Sequence, residues 1–404
     1  MSLALYRKYR PKTFDDISGQ SAVVQTLRNQ VMSNNISHAY LFNGLKGSGK
    51  TSIARILARA INCSNPVNGN PCCSCECCNY KNNVNPDIVE IDAASNNGVE
   101  NIRQLIDEVN YKPTNSKFKV YIIDEVHMLT SSSFNALLKT LEEPPSHAVF
   151  ILATTELYKV PDTIKSRCQL YTFKYINEND MLKRLNDILS QEGVDYFSEE
   201  AIKYIIAKSE GSLRDAINIL EQCINRYNKD ESVIDTNYIK DLFGDVQDEI
   251  ILELVDCMEQ KNIVKAINIF KEQFYNGCNL VSLYQSLHDY FFNKLTNCFG
   301  TPEGIILERY CRITGEAVTE LERSNQRIIV AEVAFIKLCK PEMEKDYNSV
   351  VQRLSELQSK IEMLESGNII VDKSVNNVNN NNDVDKNVIL YYNSNCDNIN
   401  LTII

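Results

Sequence analysis

The chain has 404 residues, 44% of them hydrophobic, and a formal net charge of −11 at pH 7. That length holds two or three domains, and the acidic balance excludes a protein that coats nucleic acid over its whole surface. Charge is uneven, however: Met1 to Ala60 carry nine Lys and Arg against two Asp and Glu, a local excess of +7, so a basic face toward phosphates stays open.

The N-terminal MSLALYRKYRPKTF has too short an apolar run for a secretory signal, and no stretch reaches transmembrane length. A cytoplasmic protein with reduced thiols and no membrane partner is therefore expected. HAYLFNG (38–44) reads as a strand ending in a Gly-rich turn, and KTSIARILARAIN (50–62) as a helix. DIVEIDA (87–93) alternates as a strand, NIRQLIDEVN (101–110) has helical spacing, and KVYIIDE (119–125) is a buried strand. FNALLKTLEE (134–143) is a helix stopped by Pro144–Pro145, and AVFILATT (148–155) is another buried strand. Strand–helix alternation of this kind predicts an α/β fold with a parallel sheet covered on both faces.

After about Asn177 strong strand signals cease. Three helices follow up to about residue 243, two of them expected to stop at Gly193 and Gly211. A change of composition near 244 suggests a separate all-α domain reaching to about 342, and a helix over 343–366. In that helix Val350, Leu354, Leu357, Ile361 and Leu364 follow 4-3-4-3 spacing, a seam so short that packing on its own domain is preferred over a coiled coil. The Asn-rich tail, 367–404, is expected to be disordered, since its middle has little to bury, although its last stretch, VILYYNSNCDNINLTII, is apolar.

GLKGSGKT (44–51) fits G-x-x-x-x-G-K-[ST] between a predicted strand and a predicted helix. Gly44, Gly47 and Gly49 let the backbone of Gly44, Leu45, Lys46, Gly47, Ser48 and Gly49 turn its N–H groups toward phosphate oxygens, and the helix adds its positive end. Lys50 then reaches the β- and γ-phosphates of ATP, and the Thr51 hydroxyl ligates Mg²⁺. VYIIDEVH (120–127) sets Asp124 and Glu125 at the carboxyl end of a buried strand, the ligand edge of an open α/β sheet. Asp124 suits Mg²⁺ and Glu125 suits the attacking water, while His127 reads as structural. Arg167 in LATTELYKVPDTIKSRC (152–168) and Arg214 in GSLRDA (211–216) are, on spacing alone, no more than surface charges.

CSNPVNGNPCCSCECC (63–78) holds six of the fourteen cysteines. A cytosolic setting disfavours disulfides. Cys72, Cys75 and Cys78 make two C-x₂-C steps, which supply corners of a Zn²⁺ tetrahedron. They also match the start of a ferredoxin run, but the C-x₃-C-P continuation is missing. Spacing does not reject Cys73 or Cys77 as ligands.

Together, the phosphate loop, DE after a buried strand, ATT-x₁₀-SRC and GSLRDA resemble the AAA+ ATPases of the clamp-loader clade. LYRKYRPKTFDDISGQ, HAYLFNGLKGSGKTSIARILARAINC and VYIIDEVHMLTSSSFNALLKTLEEPPSHAVFILATTE narrow the resemblance to the bacterial DNA polymerase III gamma/tau family. It is strong over roughly 1–240, weaker to about 340 and absent in the tail. The resemblance implies an AAA+ nucleotide-binding domain over 1–176 with a zinc module at 63–78, a helical lid over 177–243 and an all-α collar domain over 244–342. It implies that Thr155 is the sensor-1 residue, that Arg167 is an arginine finger acting in trans on a neighbouring subunit's ATP, and that Arg214 is the sensor-2 residue of the lid. Arg7, Arg10 and Pro11 fall in the segment that packs near the adenine.

The family's C-x₈-C-x₂-C-x₂-C module is reproduced only by Cys63, Cys72, Cys75 and Cys78, which implies Zn²⁺ on those four and leaves Cys73 and Cys77 as extra thiols. The implied activity is ATP hydrolysis that opens the sliding clamp and loads it on primer–template DNA. The implied partners are further gamma/tau copies and the delta and delta-prime subunits, in a hetero-pentamer. The chain resembles a short form of the family, so tethering of polymerase and helicase is not expected. An AAA+ DNA translocase of the branch-migration type is the alternative, and a non-catalytic scaffold is disfavoured by the intact phosphate loop.

Overall fold

The structure, a computed structural model, describes residues 3–78, 85–227, 233–298, 301–343 and, within 350–361, all but 352, 356 and 360. From the N-terminus run α1 (Leu5–Lys8), α2 (Ser21–Ser33), β1 (Ala39–Asn43), α3 (Lys50–Asn62), β2 (Ile88–Asp92) and α4 (Val99–Val109). Then come β3 (Lys119–Asp124), α5 (Ser131–Glu142), β4 (Ala148–Thr154), α6 (Asp162–Lys165) and β5 (Gln169–Thr172). All the strands are parallel, in the order β2-β3-β4-β1-β5. Parallel strands need crossovers that put helices on the faces, which explains why β3 and β4 read as unbroken apolar runs.

Successive strand residues serve opposite layers. Tyr40, Phe42, Ile122 and Ile151 pack with Leu27, Ile53 and Leu57 on one face. Leu41, Tyr121, Ile123 and Leu152 pack with Ile102, Leu105, Phe134 and Leu137 on the other. Each fully buried Leu, Ile or Phe of these layers contributes about 1.5–3 kcal/mol over its exposed state. A one-residue slip of β3 would exchange its faces, so register is firmly set. It aligns Ile123 of β3 with Leu152 of β4 and Asn43 of β1 with Thr154 of β4, which brings the ends of the three central strands to one edge.

Two features were not legible from apolar runs. Strand β5 lies on the sheet edge beside β1, with three of its four residues exposed, and carries no buried stripe to read. Helix α5 begins at Ser131, earlier than its apolar residues imply, because Thr130 caps it by accepting the Ser133 N–H at 3.2 Å.

Helices α7 (Glu178–Glu192), α8 (Glu199–Lys208), α9 (Leu213–Arg226) and α10 (Thr236–Phe243) share a core of Leu185, Ile188, Ile202, Ile205, Leu220 and Ile239. The fourth of these is additional to the three expected; it is short, and is started by an Asp235 cap on Tyr238 N–H and ended by Gly244 at φ +66°. Gly193 ends α7 in the left-handed conformation as expected. Helix α8, however, stops at Lys208, before Gly211, and both Glu210 (φ +49°) and Gly211 (φ +81°) turn the chain toward α9.

The described residues divide into two compact units, those up to 252 with 273–283, and 253–272 with the described residues from 284 on. Helices α11 (Asp248–Glu259), α12 (Ile263–Tyr275), α13 (Leu280–Asn297), α14 (Pro302–Arg323) and α15 (Arg327–Cys339) follow, and the described residues within 350–361 are helical, inside the helix expected over 343–366. Within the second unit the Tyr284 hydroxyl donates to Ala331 O at 2.6 Å, and buried Arg309 donates to Leu338 O at 3.3 Å near the end of α15. A cation there meets the negative helix terminus. Val350, Leu354, Leu357 and Ile361 are 44–55% exposed, so these four do not pack on their own domain as preferred from the sequence. Leu364 and the Asn-rich tail lie outside the described residues. No helix of the described residues is long and apolar enough to cross a membrane.

Candidate functional site

The loop after β1 is shaped by its glycines. Gly47 sits at φ +78°, and a Cβ there would fall 2.1 Å from the Ser212 Oγ that caps α9. Gly49, at φ +98°, precedes α3 and would carry its Cβ into open space. Leu45 and Lys46 are exposed at the tip, whereas Ser48 and Lys50 are buried. The Lys50 ammonium donates to the carbonyls of Gly44 and Leu45, each at 2.8 Å. Burial pushes its pKa down, while Glu125 and Asp124 pull the other way.

Opposite the loop, the Thr51 hydroxyl donates to Asp124 Oδ2 at 2.6 Å. The first turn of α3 and the carboxyl end of β3 therefore place two hard oxygen donors side by side, as a Mg²⁺ site requires. Glu125 follows at φ +47°, a left-handed conformation that costs a non-Gly residue of the order of 1–3 kcal/mol and clusters at functional sites. Its Oε2 accepts from the Thr155 hydroxyl at 3.1 Å.

His127, structural on the sequence, lies against the carboxylates of Glu125 and Glu156. Its Nδ1 lies 3.0 Å from Thr154 Oγ1 and 3.4 Å from Glu125 Oε2, and its Nε2 lies 3.1 Å from Glu156 Oε2. The DEVH spacing is the available signal, but a histidine three residues past a strand end has no fixed direction in sequence.

The arginines differ in placement. Arg214 starts α9, and its guanidinium carbon stands 4.8 Å over the Tyr6 ring. Arg10 Nε points at Ser52 Oγ, 3.4 Å away in the first turn of α3. Burial lowers the Arg10 pKa, and neighbouring Arg55 adds to the effect. Arg167 is elsewhere: among the described residues its hydrogen bonds go to Thr163 O at 2.7 Å, Ser166 Oγ at 3.2 Å and Glu142 Oε1 at 2.5 Å.

The cysteine stretch follows α3. The sulfurs of Cys63, Cys72, Cys75 and Cys78 all lie within 4.8 Å of one another. Four thiolates about 2.3 Å from a central ion span such a tetrahedron, so the donor set fits Zn²⁺. Backbone N–H groups already turn toward the sulfurs, Cys72 N–H to Cys63 Sγ at 3.2 Å and Cys75 N–H to Cys72 Sγ at 3.3 Å. Hydrogen bonds from Ser74 hold the Cys72 thiol down at about 5, whereas burial pushes Cys78 well up. Cys73 and Cys77 turn away: Cys73 Sγ lies 3.5 Å from Pro71 O, and Cys77 Sγ lies 3.7 Å from Asn115 O.

Comparison with known proteins gives a consistent picture. A family profile described as "DNA polymerase III, delta subunit" matches residues 19–177. DNA polymerase III subunit tau of Bacillus subtilis (strain 168) is 36% identical over 395 residues, 91% of this chain and 69% of that one. Subunit gamma of Buchnera aphidicola subsp. Baizongia pistaciae is 41% identical, over 72% of this chain and 79% of that one. Subunit tau of Escherichia coli (strain K12) is 40% identical over 70% of this chain but only 44% of that one. Among solved structures, the RuvB Holliday junction branch migration motor of Thermotoga maritima aligns with 63% of this chain and 80% of that one. Its TM-score of 0.45 at 17% identity carries no functional weight.

Proposed function

We propose, from the premise that the chain belongs to the DNA polymerase III gamma/tau family, that its nucleotide site drives loading of the sliding clamp onto primer–template DNA. The chain is an ATPase component of the DNA polymerase III holoenzyme. The observation that carries the reading is the Thr51–Asp124 pair at 2.6 Å beside the buried Lys50, with Glu125 one residue on. That is the equipment of phosphoryl transfer, where positioning and charge stabilisation do most of the work.

Lys50 exchanges its two loop carbonyls for the β- and γ-phosphates of ATP. Thr51 and Asp124 hold Mg²⁺, which when bound neutralises charge developing on the phosphate oxygens. Glu125 orients the attacking water and accepts its proton, held in place through Thr155. Arg214 reads the nucleotide from the lid. Arg167 serves a neighbouring subunit's ATP, since a finger in trans makes hydrolysis depend on assembly. Among the described residues its hydrogen bonds go to Thr163, Ser166 and Glu142, and none to the residues of its own phosphate loop. Cys63, Cys72, Cys75 and Cys78 hold a structural Zn²⁺ outside the reaction.

The partners that follow are further copies of the chain, delta and delta-prime subunits, the clamp and primed DNA. DNA is gripped through its phosphates, with weak sequence preference. A translocase is not favoured by relatives that are gamma and tau subunits.

Subunit mixing tests the reading. In the assembled complex, Arg167→Ala leaves ATP binding intact and lowers hydrolysis at least 10³-fold, within the usual range for a finger. Unchanged turnover would remove Arg167 from the mechanism.

A further inference from the structure

The N-terminal segment is tied to the lid at several points. Leu5 N–H donates to Glu221 of α9 at 3.1 Å, Lys8 pairs with Glu192 of α7 at 2.7 Å, and Arg184 of α7 donates to Tyr9 O at 2.8 Å. The same segment then reaches the phosphate-loop helix through Arg10 and Ser52. Ser212, two residues before Arg214, lies against Gly47 of the loop. The start of α9 is thus fixed at the phosphate loop, and α1 is fixed to α9.

Within this frame Arg214 meets the face of Tyr6, 4.8 Å from its centroid. The Tyr6 hydroxyl accepts from Arg7 Nε at 2.9 Å and also interacts with Arg214, so Tyr6 offers Arg214 its ring face with the hydroxyl beside it. An exposed arginine has many rotamers and loses that freedom when it meets a phosphate. A ring that already holds its guanidinium near the loop removes part of the cost.

We propose that Tyr6 is a positioning residue for Arg214, using its aromatic face to hold the lid arginine ready for the terminal phosphate of ATP. This rests on the sensor reading of Arg214 given above. Tyr6 raises the preference for ATP over ADP, because only ATP offers the γ-phosphate that Arg214 meets.

The test is a double-mutant cycle on the full chain, with ATP and ADP affinities measured by equilibrium titration for the parent, Tyr6→Ala, Tyr6→Phe, Arg214→Ala and the Tyr6→Ala/Arg214→Ala pair. Tyr6→Ala should lower the ATP-over-ADP preference by roughly two- to five-fold, the range of an exposed cation–π contact. Tyr6→Phe keeps the ring face and loses only the hydroxyl, and should keep more of the preference than Tyr6→Ala. In the Arg214→Ala background, Tyr6→Ala should change nothing further. The proposal is overturned if Tyr6→Ala leaves the preference unchanged or increases it, or if its effect persists without Arg214, as a merely structural role would. If Arg214→Ala itself leaves the preference untouched, the sensor reading fails and this proposal falls with it.

Discussion

Replacing Gly47 by alanine tests the closeness of lid and phosphate loop. Gly47 has φ +78°, where a side chain costs about 1–2 kcal/mol. The new methyl would also stand 2.1 Å from Ser212 Oγ and 3.0 Å from its Cβ, too near for either to stay. Ser212 caps α9 by accepting the Asp215 N–H at 3.3 Å, and losing such a cap costs about 1 kcal/mol. Nucleotide binding needs the loop in this conformation, so about 2–3 kcal/mol should appear as roughly 30- to 150-fold weaker ATP binding. A second change separates the terms. Ser212→Gly removes the clash with Oγ and Cβ, and glycine at a cap costs only a few tenths of a kcal/mol, so the double variant should recover about three-fold. Equilibrium titration with ATP gives both numbers, and thermal unfolding verifies that the variants fold. Binding by Gly47→Ala within two-fold of the parent would refute the reasoning, as would no recovery in the double variant.

Changing Cys63 to Ser should lower bound zinc from one per chain, measured by metal analysis after dialysis against a weak chelator. Cys73→Ser and Cys77→Ser should retain it, since their sulfurs point elsewhere. Glu125→Gln should bind ATP normally and lose hydrolysis by at least 10²-fold, read by phosphate release. Asp245 is buried, and accepts from Lys208 and Ser282 and, at 2.9 Å, from the Tyr204 hydroxyl. Burial acts to raise its pKa, but these partners outweigh it and leave the carboxyl below its ordinary value. Asp245→Asn should therefore cost about 2 kcal/mol in urea unfolding at pH 7. A depressed folded pKa contributes fully above about pH 4 and is lost as the pH falls through it, so parent and variant should converge in acid.

The parts of the fold legible in the sequence were those where one physical signal dominates. Strands β1, β3 and β4 are buried on both faces and leave apolar runs, and the phosphate loop is marked by glycines, of which Gly47 and Gly49 take the left-handed conformation that favours glycine. Strand β5 and helix α10 are short and partly exposed, and their stability comes from neighbours that spacing does not reveal. The cysteines show the limit of spacing: six thiols within sixteen residues admit several ligand sets, the family resemblance picks out Cys63, Cys72, Cys75 and Cys78, and the fold gathers the sulfurs of those four while Cys73 and Cys77 point elsewhere. The Tyr6–Arg214 contact joins residues about two hundred positions apart, and nothing local in either stretch announces it.

The central claim is that ATP at this site does mechanical work on the clamp. It is tested most directly by assembling the chain with delta and delta-prime subunits and measuring clamp retained on primed circular DNA. The parent complex should load clamp in an ATP-dependent way, with turnover stimulated when clamp and primed DNA are both present, and Lys50→Ala in every copy of the chain should abolish both. Clamp loading by the Lys50→Ala complex at the parent rate, or parent hydrolysis indifferent to clamp and DNA, would contradict the account.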